Sequence, residues 1–343
     1  MSDRLEQRLF WAFWALLVFS AVVRLVFFLQ LRGTDFAAVP LLDAKTYHEW
    51  AVQLVGGDPG WNQTYWMGPL YPHFLAVVYL AFGVGGEPVF LIQLALSLLN
   101  VWLVRDLARA LLPGHPHVKI IALLAASLFA FYGPSVFYAG TLLMAVVTTT
   151  LFLVTARRAV CAAETPTVKN WFLLGLMVGV TALSRGNVLL LLATLPLLLW
   201  KPLVSFNKRK MVGALLLGGV LALAPVTIRN LVVAQDFTIL TSNGGVNLYI
   251  GQKADYDGLF APVMDEAQAE ADHSMEDTLQ REFGRELKGS EVSRILTRRA
   301  LDLFVDDLAR MPAHYALKAY RFWNGYELPQ IVSYDHWRWR FTA

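Results

Sequence analysis

The sequence has 343 residues, 56% of them hydrophobic and only 16% charged, with a mean hydropathy of +0.48. That composition excludes an ordinary water-soluble enzyme and points to a polytopic membrane protein. The net charge of +3 gives no footing for a nucleic-acid partner, and the single Cys161 excludes an internal disulfide and a cysteine-based metal site.

The first apolar run, 9–31, follows Arg4 and Arg8. At about 1.5 Å per residue it can cross the hydrocarbon, and it is too long for a signal-peptide core, so it is expected to be a retained anchor. Further apolar runs lie at 69–84, 88–112, 118–134, 140–157, 170–184, 187–200 and 211–228. Basic clusters at Arg105 and Arg109, at Arg157 and Arg158, and at Lys201, Lys208, Arg209 and Lys210 join Arg4 and Arg8 on the cytoplasmic side. Parity then leaves room for one span between Arg32 and Arg105. The run 69–84, with Pro72 and His73, spans roughly 24 Å as a helix and falls short of a ~30 Å core. It is expected to lie in the outer interface as an amphipathic helix. The prediction is about seven transmembrane helices within a core of residues 1–228. Residues 32–87 form a large first outer loop, and 229–343 an outer region.

That outer region differs in kind. Between Lys253 and Arg310 there are 14 acidic against 8 basic residues, as expected of a water-facing segment. Asn243-Gly244-Gly245 reads as a turn between two short strands. Ser290 is expected to cap a helix running to Met311 and stopped by Pro312, with a second amphipathic helix from 315 to 323. The aromatic and basic residues of 337–340 suit a membrane interface. No separate soluble domain with its own core is expected.

Candidate chemistry begins at LLDAKTYHEWA, 41–51. Asp43 reads in two ways, as a base at the outer membrane rim that takes a proton from a nucleophile, or as a helix N-cap. Spacing puts Tyr47 on the same helical face as Asp43, whereas His48 at i+5 does not share that face, which argues against a metal pair. Arg185 interrupts a long apolar run and marks an outward turn; it either holds an anionic group such as a lipid phosphate or snorkels to the headgroups. Arg24, inside the first span, has the same two readings and is expected to snorkel. Arg229, ending the last span against the charge trend, is a further anion-binding candidate, while His73, Asn100 and Asn187 read as packing and hydrogen-bonding residues. No phosphate loop, HExxH motif or nucleophile elbow occurs.

Five motifs in order then resemble one family: D-x-x-x-Y-x-x-W-A from Asp43, GPLYPHFLAVVYLAFG at 68–83, ALSRGN at 182–187, APVTIRN at 224–230 and TSNGGVNLYIG at 241–251. Together they resemble the GT-C superfamily of membrane glycosyltransferases, in the branch of bacterial relatives of protein O-mannosyltransferases and the lipid A aminoarabinose transferase. FWNGYELP at 322–329 fits the same pattern. Members continue into further spans, so the sequence is expected to lack C-terminal ones.

The resemblance implies an inverting sugar transfer from a polyprenyl-phosphate or polyprenyl-diphosphate donor at the outer face of a bacterial inner membrane, to a protein, lipid or glycan acceptor. It implies Asp43 as general base and Arg185 and Arg229 near the donor phosphate. The cavity would be lined by Tyr47, His48, Tyr71, Asn187, Asn243, Gly244 and Asn247. Two positions depart from the family. Ala139 and Ala145 stand where a pattern like F-Y-E-G-x-L-L-x-E carries acids, and Met67 and Gly68 replace a basic residue before PLY. The missing acids weaken the expectation of a divalent metal, and they open a second reading, a non-catalytic protein that binds a lipid-linked sugar or a partner. A transporter has no inverted repeat or midplane acidic pair in its favour.

Overall fold

The computed structural model describes residues 3–34, 40, 42–58, 62–199, 207–252 and 274–324. The expectations for residues 325–343 and for most of the acidic stretch before Ser274 lie outside the described residues. The chain divides into two compact units: Met1–Gly60 with Gly68–Pro225, and Trp61–Met67 with Val226–Ala343.

The regular elements of the first unit are helices among the described residues. Its helices are α1 (Asp3–Leu31), α2 (Asp43–Val55), α3 (Leu70–Phe82), α4 (Gly86–Leu111), α5 (Val118–Ala130), α6 (Gly133–Phe137), α7 (Ala145–Glu164), α8 (Val168–Ala182) and α9 (Leu190–Leu198). They are followed by α10 (Lys208–Val233), within which the boundary between the units falls. All seven apolar runs expected to span are helical, but among the described residues α1, α4, α7 and α10 alone are long and apolar enough to cross a membrane by themselves. A fifth span results if α5 and the segment Gly133–Gly140, bent by 64°, are one broken helix. The remaining two, Val168–Ala182 and Gly186–Leu198, are shorter, so the count is four or five where seven was expected. The run at 69–84 forms α3, also a short apolar helix.

The bend between α5 and α6 has an identifiable cause. Pro134 sits in the first turn of α6, where its missing N–H costs nothing, and the break leaves carbonyls at the end of α5 without helical partners. Arg24 supplies what they lack. Its guanidinium donates to the Ala130 carbonyl at 3.0 Å, and it also donates to Ser97 Oγ at 2.8 Å, to Ser135 Oγ at 3.2 Å and to Ser20. Ser135 Oγ in turn donates to the Phe129 and Tyr132 carbonyls, both at 2.8 Å. Arg24 is 1% exposed, which corrects the snorkelling expectation: its charge faces the negative end of α5 instead of the headgroups.

Small residues set the contact of α8 with α10. A Cβ on Gly175 or Gly218 would run into backbone of the facing helix at Leu215 or Phe172, and one on Gly179 would meet Ala222 Cβ at 2.6 Å. The seam is the close-packed, small-residue kind that membrane helices use in place of a hydrophobic drive.

The second unit carries α11 (Gly244–Gln252), α12 (Ser274–Phe283), α13 (Gly289–Asp306) and α14 (Met311–Trp323). It has a hydrophobic core of Val246, Leu279, Leu287, Val292 and Leu296, with Trp66, Tyr249 and Ile295 packed against it, contrary to the expectation that this region lacks one. No strand occurs among the described residues, so the expected strand pair around Asn243-Gly244-Gly245 is also corrected. These glycines open a helix. A Cβ on Gly245 would strike the backbone of Ser293, and the Gly245 amide donates to Ser293 Oγ at 3.0 Å, so what Gly245 permits is the close crossing of α11 and α13.

Lys288, not Ser290, takes the N-cap position of α13. A lysine side chain has no acceptor, and the cap comes from Asp236, whose Oδ2 accepts from the Ser290 amide at 2.9 Å and from Thr64 Oγ1 at 2.7 Å. Burial pushes the Asp236 carboxyl up, but those bonds, with Lys288 nearby, hold it below its ordinary value. Glu291 is held down to about 2 by Arg285 and by the Lys288 amide. The helix ends at Asp306, and Pro312 lies in the first turn of α14 rather than stopping α13.

Candidate active site

The segment around Asp43 folds as a helix whose first residue is strained. Leu42 occupies the N-cap position with φ 49° and ψ −125°, a left-handed conformation that costs a leucine on the order of 1–3 kcal/mol. Asp43 is therefore the first residue of α2 and not its N-cap. It is half-buried at the N-terminal end of the helix. Strain immediately before an acid is what a site held in a fixed geometry shows.

Tyr47, one turn on, carries α2 inward. It is buried, its ring meets Tyr71 edge-on at 5.2 Å, and its hydroxyl lies 3.6 Å from Met144 Sδ. Tyr71, fully buried on α3, donates to Gln93 Oε1 at 2.8 Å. The Gln93 amide then donates to the Thr141 carbonyl at 2.7 Å and the Ala139 carbonyl at 3.3 Å. His48 pairs with Tyr79 through Nδ1 and the phenol oxygen at 2.8 Å, and Trp50 meets His73 edge-on at 6.2 Å. Three aromatic and imidazole pairs thus lock α2 to α3, and the Asp43 face of α2 is fixed in direction.

The other motif of the membrane core joins the same assembly. A Cβ on Gly68 would lie 2.6 Å from the Ser184 carbonyl oxygen and 2.7 Å from that of Leu183. The Leu70 amide donates to the same Leu183 carbonyl at 3.3 Å. The GPLY and ALSRGN motifs are therefore in backbone contact, and any side chain at 68, basic or not, would part them. Ser184 hydrogen-bonds Thr148 on α7 and lies 3.7 Å from Met144 Sδ, which Tyr47 also touches. The thioether of Met144 thus bridges the α2 helix and the Arg185 turn. Arg185 and Asn187 project from that turn exposed, and the Arg185 side chain forms no hydrogen bond or ion pair with described residues.

Ala139 and Ala145, expected from the resemblance to stand at acid positions, have different surroundings. Ala139 is buried, its carbonyl engaged by Gln93, while Ala145 lines a cavity between α4, α5 and α7. No cluster of three or more His, Cys, Asp or Glu suited to a metal occurs among the described residues.

Residues 67–228 match the family model of the dolichyl-phosphate-mannose-protein mannosyltransferases. Across that segment the chain is similar to this family, which is of the GT-C type. No curated protein and no solved structure matches the chain. The GT-C match takes in Gly68, Tyr71, Ala139, Ala145, Arg185 and Asn187, whereas Asp43, Tyr47 and His48 precede it and Arg229 follows it by one residue.

In the second unit, Arg229 lies over the Tyr65 ring at 4.0 Å and donates to the Gln63 carbonyl at 2.5 Å. Asn243 accepts from Thr241 at 3.0 Å, and its carbonyl takes the Asn247 amide, while Gly244 opens α11 with open space around it.

Gln93, Met144, Ser184 and Gly68 escaped the sequence reading. For Gln93 a signal existed: Gln93, Ser97 and Asn100 recur at i, i+4 and i+7 in an otherwise apolar helix and form a buried polar stripe. For Met144 and Gly68 there was none, because their roles depend on partners 40 and more residues away in the chain.

Proposed function

We propose that the chain is an inverting glycosyltransferase that moves a sugar from a polyprenyl-phosphate or diphosphate donor to an acceptor hydroxyl or amine at the periplasmic or extracellular face of the inner membrane. Asp43 takes the acceptor proton as the nucleophile attacks the anomeric carbon, and the bond to the phosphate oxygen breaks on the opposite face. The polyprenyl phosphate departs with the negative charge, which Arg185 stabilises. The strongest support is the position of Asp43, first in a helix that begins in strained backbone and is locked against the α3 helix of the matched segment. Arg229 is a second candidate for the phosphate, which would compete with the Gln63 carbonyl for its N–H groups.

The test uses purified full chain in nanodiscs with a radiolabelled polyprenyl-phosphate hexose and a native membrane extract as acceptor source. Asp43→Asn should lower transfer by roughly 10²–10⁴, the usual contribution of a general base, with the thermal unfolding profile unchanged. Transfer by the variant at the parental rate refutes Asp43 as base.

Ala139 and Ala145 favour a second reading, a protein that binds the lipid-linked sugar without turning it over. Binding of the donor without transfer by the parent chain, with transfer appearing in Ala145→Glu, would establish that reading instead.

A further inference from the structure

The helix α14 of the second unit is built inside out. Its charged and titratable positions His314, Lys318 and Arg321 recur at i, i+4 and i+7, one stripe of a helix. All three are buried or half-buried, His314 at 8% exposure. Every exposed residue of α14, by contrast, is apolar or aromatic. Pro312, Ala316, Ala319, Tyr320 and Trp323 repeat at i, i+4, i+7, i+8 and i+11, on the side opposite the charged stripe. Tyr320 is 68% exposed, Phe322 79% and Trp323 82%.

The inward polarity has a cause. The helix α11 ends at Gln252, and the carbonyls of its last turn need partners. His314 Nε2 donates to the Gly251 carbonyl at 3.0 Å, and Lys318 donates to the same oxygen. Arg310, just ahead of α14, donates to the Gln252 carbonyl at 3.1 Å, and Gln252 Nε2 donates to the Tyr315 hydroxyl at 2.6 Å. Cations gather where the dipole of α11 is negative. With its charged stripe turned to α11, α14 has only apolar and aromatic side chains for its outer face.

Such a face is unfavourable in water, since surface helices turn their charges outward and an exposed apolar patch marks a contact. What covers it follows from two observations. The second unit includes the end of α10 from Val226 on, and α10 is long and apolar enough to cross a membrane. The segment after α10 folds back along those last turns: Thr227 Oγ1 donates to the Ile239 carbonyl at 2.8 Å, and Asn230 Nδ2 to the Thr238 and Leu240 carbonyls at 3.1 and 3.0 Å. Phe237 and Ile239 are exposed beside it. A unit pinned to the end of a span in this way is held at the level of the bilayer. The second observation is chemical. Tyr and Trp rings favour the headgroup level, and α14 contains no acidic residue for lipid phosphates to repel.

We propose that the outer face of α14 docks on the lipid surface, lying in the interfacial plane with Tyr320, Phe322 and Trp323 among the headgroups and upper acyl chains. Because its cations are turned to α11, the attachment is apolar and does not require anionic lipid. The proposal does not rest on the transferase reading, and its readout is lipid contact, so either can fail without the other.

The experiment uses the full chain in phosphatidylcholine nanodiscs loaded with one chain each. On a Cys161→Ser background, bimane is attached at Ala316→Cys, at Ala319→Cys or, as a water-facing control in the same unit, at Glu286→Cys. A nitroxide carried high on the lipid acyl chain should quench the probes at 316 and 319 severalfold more than the probe at 286, and aqueous iodide should give the reverse order. Phe322→Glu with Trp323→Glu, both at exposed positions where packing is not at stake, should return the probe at 319 to iodide. Iodide quenching at 316 and 319 equal to that at 286 overturns the proposal, as does lipid quenching that the paired substitution leaves unchanged. Silence to both quenchers overturns it in favour of cover by the chain itself. Lipid quenching that vanishes in discs holding two chains overturns it in favour of a second copy.

Discussion

Asp236 gives the sharpest test of how the second unit is held together. Both donors that reach it, Thr64 Oγ1 at 2.7 Å and the Ser290 amide at 2.9 Å, converge on one oxygen, Oδ2. Hydrogen bonds to an ionised group contribute about 1.5–3 kcal/mol each. Asp236→Ala, which removes both and leaves α13 uncapped, should therefore cost about 3–5 kcal/mol. Asp236→Asn can place its single carbonyl oxygen where Oδ2 stands and keep both bonds, losing only their charge and the attraction to the helix N-terminus, about 1–2 kcal/mol. The pH dependence has a definite sign. The folded carboxyl titrates below its ordinary value of 3.8, so its contribution is present above that value and lost as pH falls through the lower, folded one. The gap between the parent and Asp236→Asn should narrow on acidification through that window. Chemical unfolding in detergent reads the stabilities, and hydrogen exchange at Ser290 and Glu291 reads the cap. If Asp236→Ala lies within about 0.5 kcal/mol of the parent, or if Asp236→Asn is as damaging as Asp236→Ala, the convergence argument is wrong.

Three further substitutions probe the first unit. Gly68→Ala forces a Cβ against two backbone carbonyls that cannot move aside, and should cost about 1–3 kcal/mol by thermal unfolding while reducing sugar transfer, since it parts α3 from the Arg185 turn. Arg24→Met leaves the Ala130 carbonyl and the hydroxyls of Ser97 and Ser135 without their donor; a loss of about 2–4 kcal/mol on SDS titration is expected, whereas a snorkelling arginine would lose almost nothing. Gly175→Val should separate α8 from α10, seen as faster proteolysis and lost pairing of cysteines introduced across that seam.

Helices were legible because their cause is local: apolar runs of the right length become helices wherever water is absent, and all the predicted runs did so. The span count was not legible to the same degree. The run 118–134 reads as one span by composition, but the helix breaks ahead of Pro134, and whether the broken carbonyls can be tolerated depends on Arg24, which stands 106 residues before Ala130 in the chain. The strands expected around Asn243 failed for a related reason. A Gly-Gly pair signals either a turn or a close helix crossing, and the backbone of Ser293 decides between them. In the candidate site, the GPLY and ALSRGN motifs were each visible as strings, while their contact through Gly68 was hidden, since a glycine does not reveal what approaches it.

Ala139 and Ala145 are best understood through what surrounds them. At Ala139 the polar network is complete and neutral: the Tyr71 hydroxyl is matched by Gln93 Oε1, and the Gln93 amide by the carbonyls of residues 139 and 141. A carboxylate added there would be buried with no cation among those partners, at a cost of several kcal/mol, so Ala139 belongs with Gln93 as part of one consistent arrangement. At Ala145 the reverse holds. The space is open, an acceptor on Asn100 lacks a partner, and a guanidinium lies one hydroxyl away. Position 139 is closed over, whereas position 145 borders a cavity. The two alanines are therefore not equivalent, and an acid would be tolerated differently at each.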